Sequence, residues 1–129
     1  MISNSGNSKN ICLKVRNLKT SFFLGSGRKV QAVRDVSFDL YEGEILGIVG
    51  ESGSGKTVMV KSILKLITPP GRIENGSVLF NGRDLIKISE KDMLKIRGRH
   101  ISMIFQEPLS ALNPTFTIGW QIGEAFRLH

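Results

Sequence analysis

The sequence holds one cysteine, one tryptophan, one tyrosine and two histidines in 129 residues. A lone cysteine excludes an internal disulfide framework and offers no ligand spacing for a thiolate metal site, so Cys12 is expected as a small buried side chain. His100 and His129 stand far apart and belong to no recognised ligand pattern, which leaves them a solvated or structural role. No apolar run approaches the roughly 20 residues that a membrane-spanning helix needs. The opening stretch Met1–Asn10 is rich in Ser and Asn and has no apolar core. It fits neither a secretory signal nor a transit peptide and reads as a disordered tail. Internal repeats and low-complexity linkers are also missing.

What is present is 40% hydrophobic content, enough for one small globular domain. Eighteen basic residues against 11 acidic ones give a net charge of +7, compatible with nucleic acid, an anionic surface or a polyphosphate. The densest basic stretch, Lys95 to His100, carries no interleaved aromatics of the kind that stack on bases, so nucleic acid is not an expected partner.

The most informative segment runs from Gly50 to Thr57 and reads GESGSGKT, the pattern G-x-x-x-x-G-K-[ST]. It follows the apolar, β-rich stretch Glu44–Val49. Behind it Met59, Ile63, Leu66 and Ile67 recur at helical spacing until Pro69-Pro70-Gly71 stops them. Strand, glycine-rich loop and helix start therefore follow one another. In such a loop the glycines let backbone N–H groups converge on phosphate oxygens, and the helix adds the partial positive charge of its N-terminus. Gly50, Glu51, Ser52, Gly53, Ser54, Gly55, Lys56 and Thr57 are thus candidates to hold a nucleoside triphosphate. Lys56 would reach the β and γ phosphates, and the Thr57 hydroxyl would ligate Mg²⁺.

Around this segment the pattern predicts strands at Ile11–Val15 and Ala32–Leu40, with Val33, Val36, Phe38 and Leu40 as burial candidates and a turn at Gly25–Gly27. A short strand over Gly76–Phe80 with the Asn81-Gly82 turn extends the same antiparallel layer. Ser89 is placed to cap a helix through Arg97 that Gly98 closes, Ile101–Phe105 reads as strand, and Thr117 can cap an amphipathic stretch to Leu128 through Ile118, Ile122, Ala125 and Phe126. The expectation is an α/β domain in which an antiparallel β-layer feeds a parallel core.

A phosphate-loop enzyme also needs a carboxylate at the end of a second strand, to fix the shell of the magnesium ion. After Thr57 the nearest stretch is Ile101–Phe105, and it is followed by Gln106 where the Asp belongs. Glu107 falls one residue late, on the opposite side of an extended chain.

The loop GESGSGKT, the strand ending in Gln106 and above all FQEPLSALNP (Phe105 to Pro114) together resemble the ATP-binding subunit of ATP-binding-cassette (ABC) importers of the oligopeptide, dipeptide and nickel group. NLKTSF and AVRDVSFDLYEGEILGIVGESGSGKT agree, and the likeness covers Ile11 to His129. It implies a P-loop ABC ATPase core up to about residue 106 and the start of a helical subdomain over about 107–129. It further implies ATP and Mg²⁺ as cofactors, with Gln106 as the Q-loop glutamine touching Mg²⁺ and the attacking water. An early aromatic would stack on adenine: Phe22 by spacing, Phe23 as runner-up. Permease subunits and a second ATP-binding subunit would be the partners, at the cytoplasmic face of a membrane. The LSGGQ-type signature, the second-strand (Walker B) Asp, the catalytic Glu and the switch histidine are absent, and His129 falls too early to be that histidine. The chain is therefore expected to match the N-terminal part of such a subunit and to be inactive alone. The alternative is a non-catalytic remnant that docks on a permease without hydrolysing ATP. Peptide against nickel as cargo is undecided by these residues.

Overall fold

The computed structural model describes residues 10–107 and 112–128. All but Asn10 of the expected tail lies outside them, as do residues 108–111 of the Phe105–Pro114 run and His129. The described chain forms two compact units, divided after Ile88.

The first unit is built on an antiparallel sheet of four strands in the order β2-β1-β3-β4: β1 (Ile11–Phe23), β2 (Lys29–Tyr41), β3 (Gly71–Phe80) and β4 (Arg83–Asp84). Each long strand extends further than the local pattern predicts. β1 outruns its alternation at Val15 because register shifts on both of its ladders absorb the breaks and let it continue to Phe23. The expected turn joins β1 to β2, with Ser26 and Gly27 in the left-handed region and the Leu24 N–H on the Arg28 carbonyl at 2.9 Å. Arg16 fastens the same pair, bonding the Phe38 carbonyl and, at 2.7 Å, Asp39.

The helix α1 (Lys56–Ile63) packs on β1 and β2, and Val15, Leu18, Val33, Met59, Ile63, Leu64, Val78 and Leu85 form the core. Of the burial candidates on β2 only Val33 is fully buried; Val36, Phe38 and Leu40 are half-buried, and so is Cys12, contrary to expectation. The helix also stops earlier than its apolar spacing suggests. Lys65 turns left-handed (φ 51°), and the Leu66 N–H closes on the Lys61 carbonyl at 2.8 Å, so Leu66 and Ile67 leave the helix.

The expected strands at Glu44–Val49 and Ile101–Phe105 are corrected by the structure. Among the described residues neither enters a ladder; the second contributes only a single parallel bridge between Ile101 and Arg97. A strand of a parallel core is held by hydrogen-bonded neighbours rather than by its own propensity, and the segments carry their apolar side chains in the open: Ile45 is 98% and Val49 97% exposed.

The second unit holds α2 (Glu90–Ile96) and α3 (Ile118–Leu128). Ser89 caps α2 by accepting the Asp92 N–H at 3.1 Å, and its last turn carries Lys95 against Asp92 at 3.0 Å. Thr117 caps α3 by accepting the Trp120 N–H at 3.3 Å. Met93 and Ile96 are buried, whereas α3 buries none of its residues.

Candidate functional site

The Gly50–Thr57 segment forms a turn closed by the Ser54 N–H on the Glu51 carbonyl at 3.2 Å, then passes into α1. Two of its glycines are required by conformation. Gly53 (φ 78°) and Gly55 (φ 91°) both occupy the left-handed region, and Gly55 is the N-cap of α1. A side chain at Gly55 would also run into the Ala32 carbonyl of β2, so the loop lies directly on the neighbouring strand. Met59 is the first residue whose N–H closes a turn of α1, on the Gly55 carbonyl at 2.8 Å. The N–H groups before it form the positive end of the helix, and no acidic residue in the first turn offsets that charge.

Lys56 curls over the loop. Its ammonium donates to the Gly50 carbonyl at 2.6 Å, the Glu51 carbonyl at 2.7 Å and the Ser54 hydroxyl at 3.2 Å, which engages all three of its protons. Glu51, Ser52 and Thr57 are exposed. Beside the loop lies an open cavity of about 660 Å³, walled by Val30, Ala32 and Val33 of β2, by Ile48 and Val49, and floored by Met59 and Lys56. Of the eight loop residues, Gly50, Gly53, Ser54, Gly55 and Lys56 line this cavity, whereas Glu51, Ser52 and Thr57 do not. The chemistry fits a polyphosphate: a cation on the loop, a helix N-terminus behind it and the Thr57 hydroxyl open to an ion. Among the described residues no group of three His, Cys, Asp or Glu side chains is placed to hold a metal.

The two aromatic candidates occupy different settings. Phe23 is covered by cations, with the Arg72 guanidinium 3.9 Å and the Lys29 ammonium 5.7 Å from the ring centre. Phe22 is half-buried and sets its ring edge against Gly71, which Ile67 approaches as well. It does not line the cavity itself, but its ladder partner on β2 is Val30, which does. Gln106 belongs to the second unit, exposed in a bend after residues 102–105, which join no strand or helix.

Sequence reasoning missed the polar anchors of α1. Thr20 and Ser62 are both fully buried and share a hydrogen bond of 2.8 Å, while Ser62 donates to the Val58 carbonyl at 2.7 Å. Nothing in the spacing of Thr20 and Ser62 predicts their meeting. Glu74 was missed as well. It accepts from the buried Ser21 hydroxyl at 2.5 Å and from Lys29 at 2.9 Å, and those two partners, the hydroxyl foremost, hold its carboxyl below the usual range.

Comparison with known proteins agrees with this geometry. Residues 33–125, more than half of the chain, match the model of the ABC transporter family. The chain is 53% identical over 118 residues to the dipeptide transport ATP-binding protein DppD of Bacillus subtilis (strain 168), covering 91% of itself and 35% of that relative. Its identity to the oligopeptide transport ATP-binding protein OppD of the same organism is 51% over 118 residues, covering 91% and 33%. It thus spans about a third of the length of the curated relatives it matches. Among solved structures it resembles MJ0796, a bacterial ABC transporter cassette seen as a dimer, with a TM-score of 0.70 and 28% identity over 81% of this chain and 42% of that one. A post-hydrolysis form of MJ0796, bound to ADP and Pi, shares the fold at a TM-score of 0.64 and 22% identity, covering 89% and 54%. The match over residues 33–125 and the glycine-rich loop it contains lead to one conclusion: the chain belongs to the ABC transporter family.

Proposed function

We propose that this chain is part of the ATP-binding component of a peptide-type ABC import system, and that its Gly50–Thr57 loop grips the triphosphate tail of ATP. The observation that carries the reading is the Lys56 ammonium seated on the carbonyls of Gly50 and Glu51, at the mouth of a helix whose first turn is free of acid. An incoming phosphate would replace those carbonyls as the partner of Lys56, and the loop and first-turn N–H groups would take the remaining oxygens. Thr57, with Gln106 of the Q-loop, would hold Mg²⁺. When bound, the ion neutralises phosphate charge. Phe22 is favoured over Phe23 as the platform for adenine, since Arg72 already lies over the Phe23 ring.

In this reading residues up to about 106 belong to the nucleotide core and those from about 107 to a helical subdomain. The partners are permease subunits and a second ATP-binding subunit at the cytoplasmic face of a membrane; no helix among the described residues is long and apolar enough to cross one. The 129 residues supply no second-strand Asp and no catalytic Glu, so the chain alone should bind ATP weakly and turn over negligibly. The test is displacement of a fluorescent ATP analogue together with a phosphate-release assay. Binding lost about ten- to a hundredfold in Lys56→Ala, with turnover at background, is expected. Binding unchanged by Lys56→Ala, or turnover that Lys56→Ala abolishes, would refute it.

A further inference from the structure

Gly71 opens β3 and is buried, yet its backbone does not call for glycine: unlike Gly53 and Gly55 it has no positive φ. What forbids a side chain is its neighbours. A β-carbon built there would stand 2.7 Å and 3.0 Å from two atoms of the Phe22 ring and 2.8 Å from Ile67 Cγ2. Phe22 and Gly71 are ladder partners, so the ring leans sideways from β1 into the notch left by the missing side chain. On the other side of Phe22 the ladder partner is Val30, half exposed and part of the wall of the phosphate-loop cavity. The room the Phe22 ring has on its β3 side therefore depends on position 71 carrying no side chain.

We propose that Gly71 is a positioning residue for Phe22, and through it sets how strongly the site prefers an adenine nucleotide over a bare polyphosphate chain. The inference rests on the reading of Phe22 as the adenine platform. A methyl group at 71 would displace the ring away from β3, toward Val30 on β2 and the cavity that Val30 lines. Lys56 and the loop amides, which hold only phosphate, would be untouched. An ordinary packing role, an aromatic ring covering a glycine in a sheet, would weaken every ligand alike.

The experiment measures the affinity of the full chain for ATP and for inorganic tripolyphosphate, and compares their ratio between variants. Phe22→Ala is expected to lower that ratio about tenfold, since base–aromatic stacking contributes on that order. Gly71→Ala is expected to lower it about three- to tenfold while tripolyphosphate binding stays at the wild-type value. A lowered ratio in Phe22→Ala with an unchanged one in Gly71→Ala would overturn the role of Gly71 alone. An unchanged ratio in Phe22→Ala would overturn the platform reading and the inference with it. If Gly71→Ala fails to fold, judged by loss of its circular-dichroism signal, Ile67→Ala removes the opposite wall of the notch. It should then lower the ratio about two- to threefold, and an unchanged ratio there would also overturn the proposal.

Discussion

The strand β1 and the stretch Glu44–Val49 both carry branched apolar side chains that favour strands, yet they are held in opposite ways. β1 is paired along both edges, by β2 and by β3, and its Val15 and Leu18 are fully buried. Glu44–Val49 leads straight into the glycine-rich loop but joins no ladder among the described residues, and two of its apolar side chains lie almost wholly in solvent. The difference lies in where the neighbours come from. β1 and β2 meet through a five-residue connection, and β3 comes back after one helix to pair with the other edge of β1, Phe22 opposite Gly71, so both neighbours of β1 lie within the described residues. A central parallel strand draws its neighbours from distant sequence. The loop and its helix are anchored on the antiparallel sheet: Gly55 against the Ala32 carbonyl, and Ser62 against Thr20.

The contrast can be broken by mutation. The largest effect is expected at the sheet core, where Leu18→Ala removes a side chain with no exposed surface and should cost about 2–5 kcal/mol in urea denaturation. A cost below about 1 kcal/mol would mean that the sheet is not the stable part of the molecule. Next comes the anchor of α1. Because Ser62 gives its proton to the Val58 carbonyl, Thr20 must be the donor to Ser62. Ser62→Ala therefore leaves the Thr20 hydroxyl without its acceptor and should cost about 1–3 kcal/mol, more than Thr20→Val, which takes away only the donor. Equal costs would contradict that direction.

Acid gives a smaller, graded effect. Glu74, held first by the Ser21 hydroxyl and then by Lys29, and Asp39, held first by Arg16, both have carboxyls depressed from the ordinary range. Such groups add stability that is complete above their unfolded pKa and is lost as the pH falls through the lower folded value. The melting temperature should therefore hold between about pH 7 and 5 and decline below about 4. Glu74→Gln should flatten that decline; an identical acid profile in the variant would remove Glu74 from the account. The smallest effect is expected at Ile45→Ser, within about 0.5 kcal/mol, since Ile45 is 98% exposed. A loss like that of Leu18→Ala would show that Glu44–Val49 is packed in solution.

Legibility in the sequence follows the same division. The turn ahead of α1 was readable in the sequence, because the left-handed conformations at positions 53 and 55 call for glycine. The caps of α2 and α3 were readable at Ser89 and Thr117 because a hydroxyl just ahead of a helix is a local signal. The strand expected at Glu44–Val49 did not form, since composition says what a segment prefers and not who will pair with it. Thr20 with Ser62, Glu74 with Ser21, and the notch at Gly71 were invisible because each joins residues brought together only by the sheet. The separate packing of Phe22 and Phe23 was equally hidden: adjacent residues on a strand face opposite ways, and only the neighbours on β3 tell them apart.

Hydrogen exchange of the backbone amides from Gly53 to Val58, with and without magnesium and ATP, tests most directly whether this loop grips phosphate through its main chain. Slower exchange confined to those amides and their immediate neighbours, and absent in Lys56→Ala, is the predicted result. Exchange at those amides that ATP leaves unchanged, or that slows equally without the lysine, would contradict it.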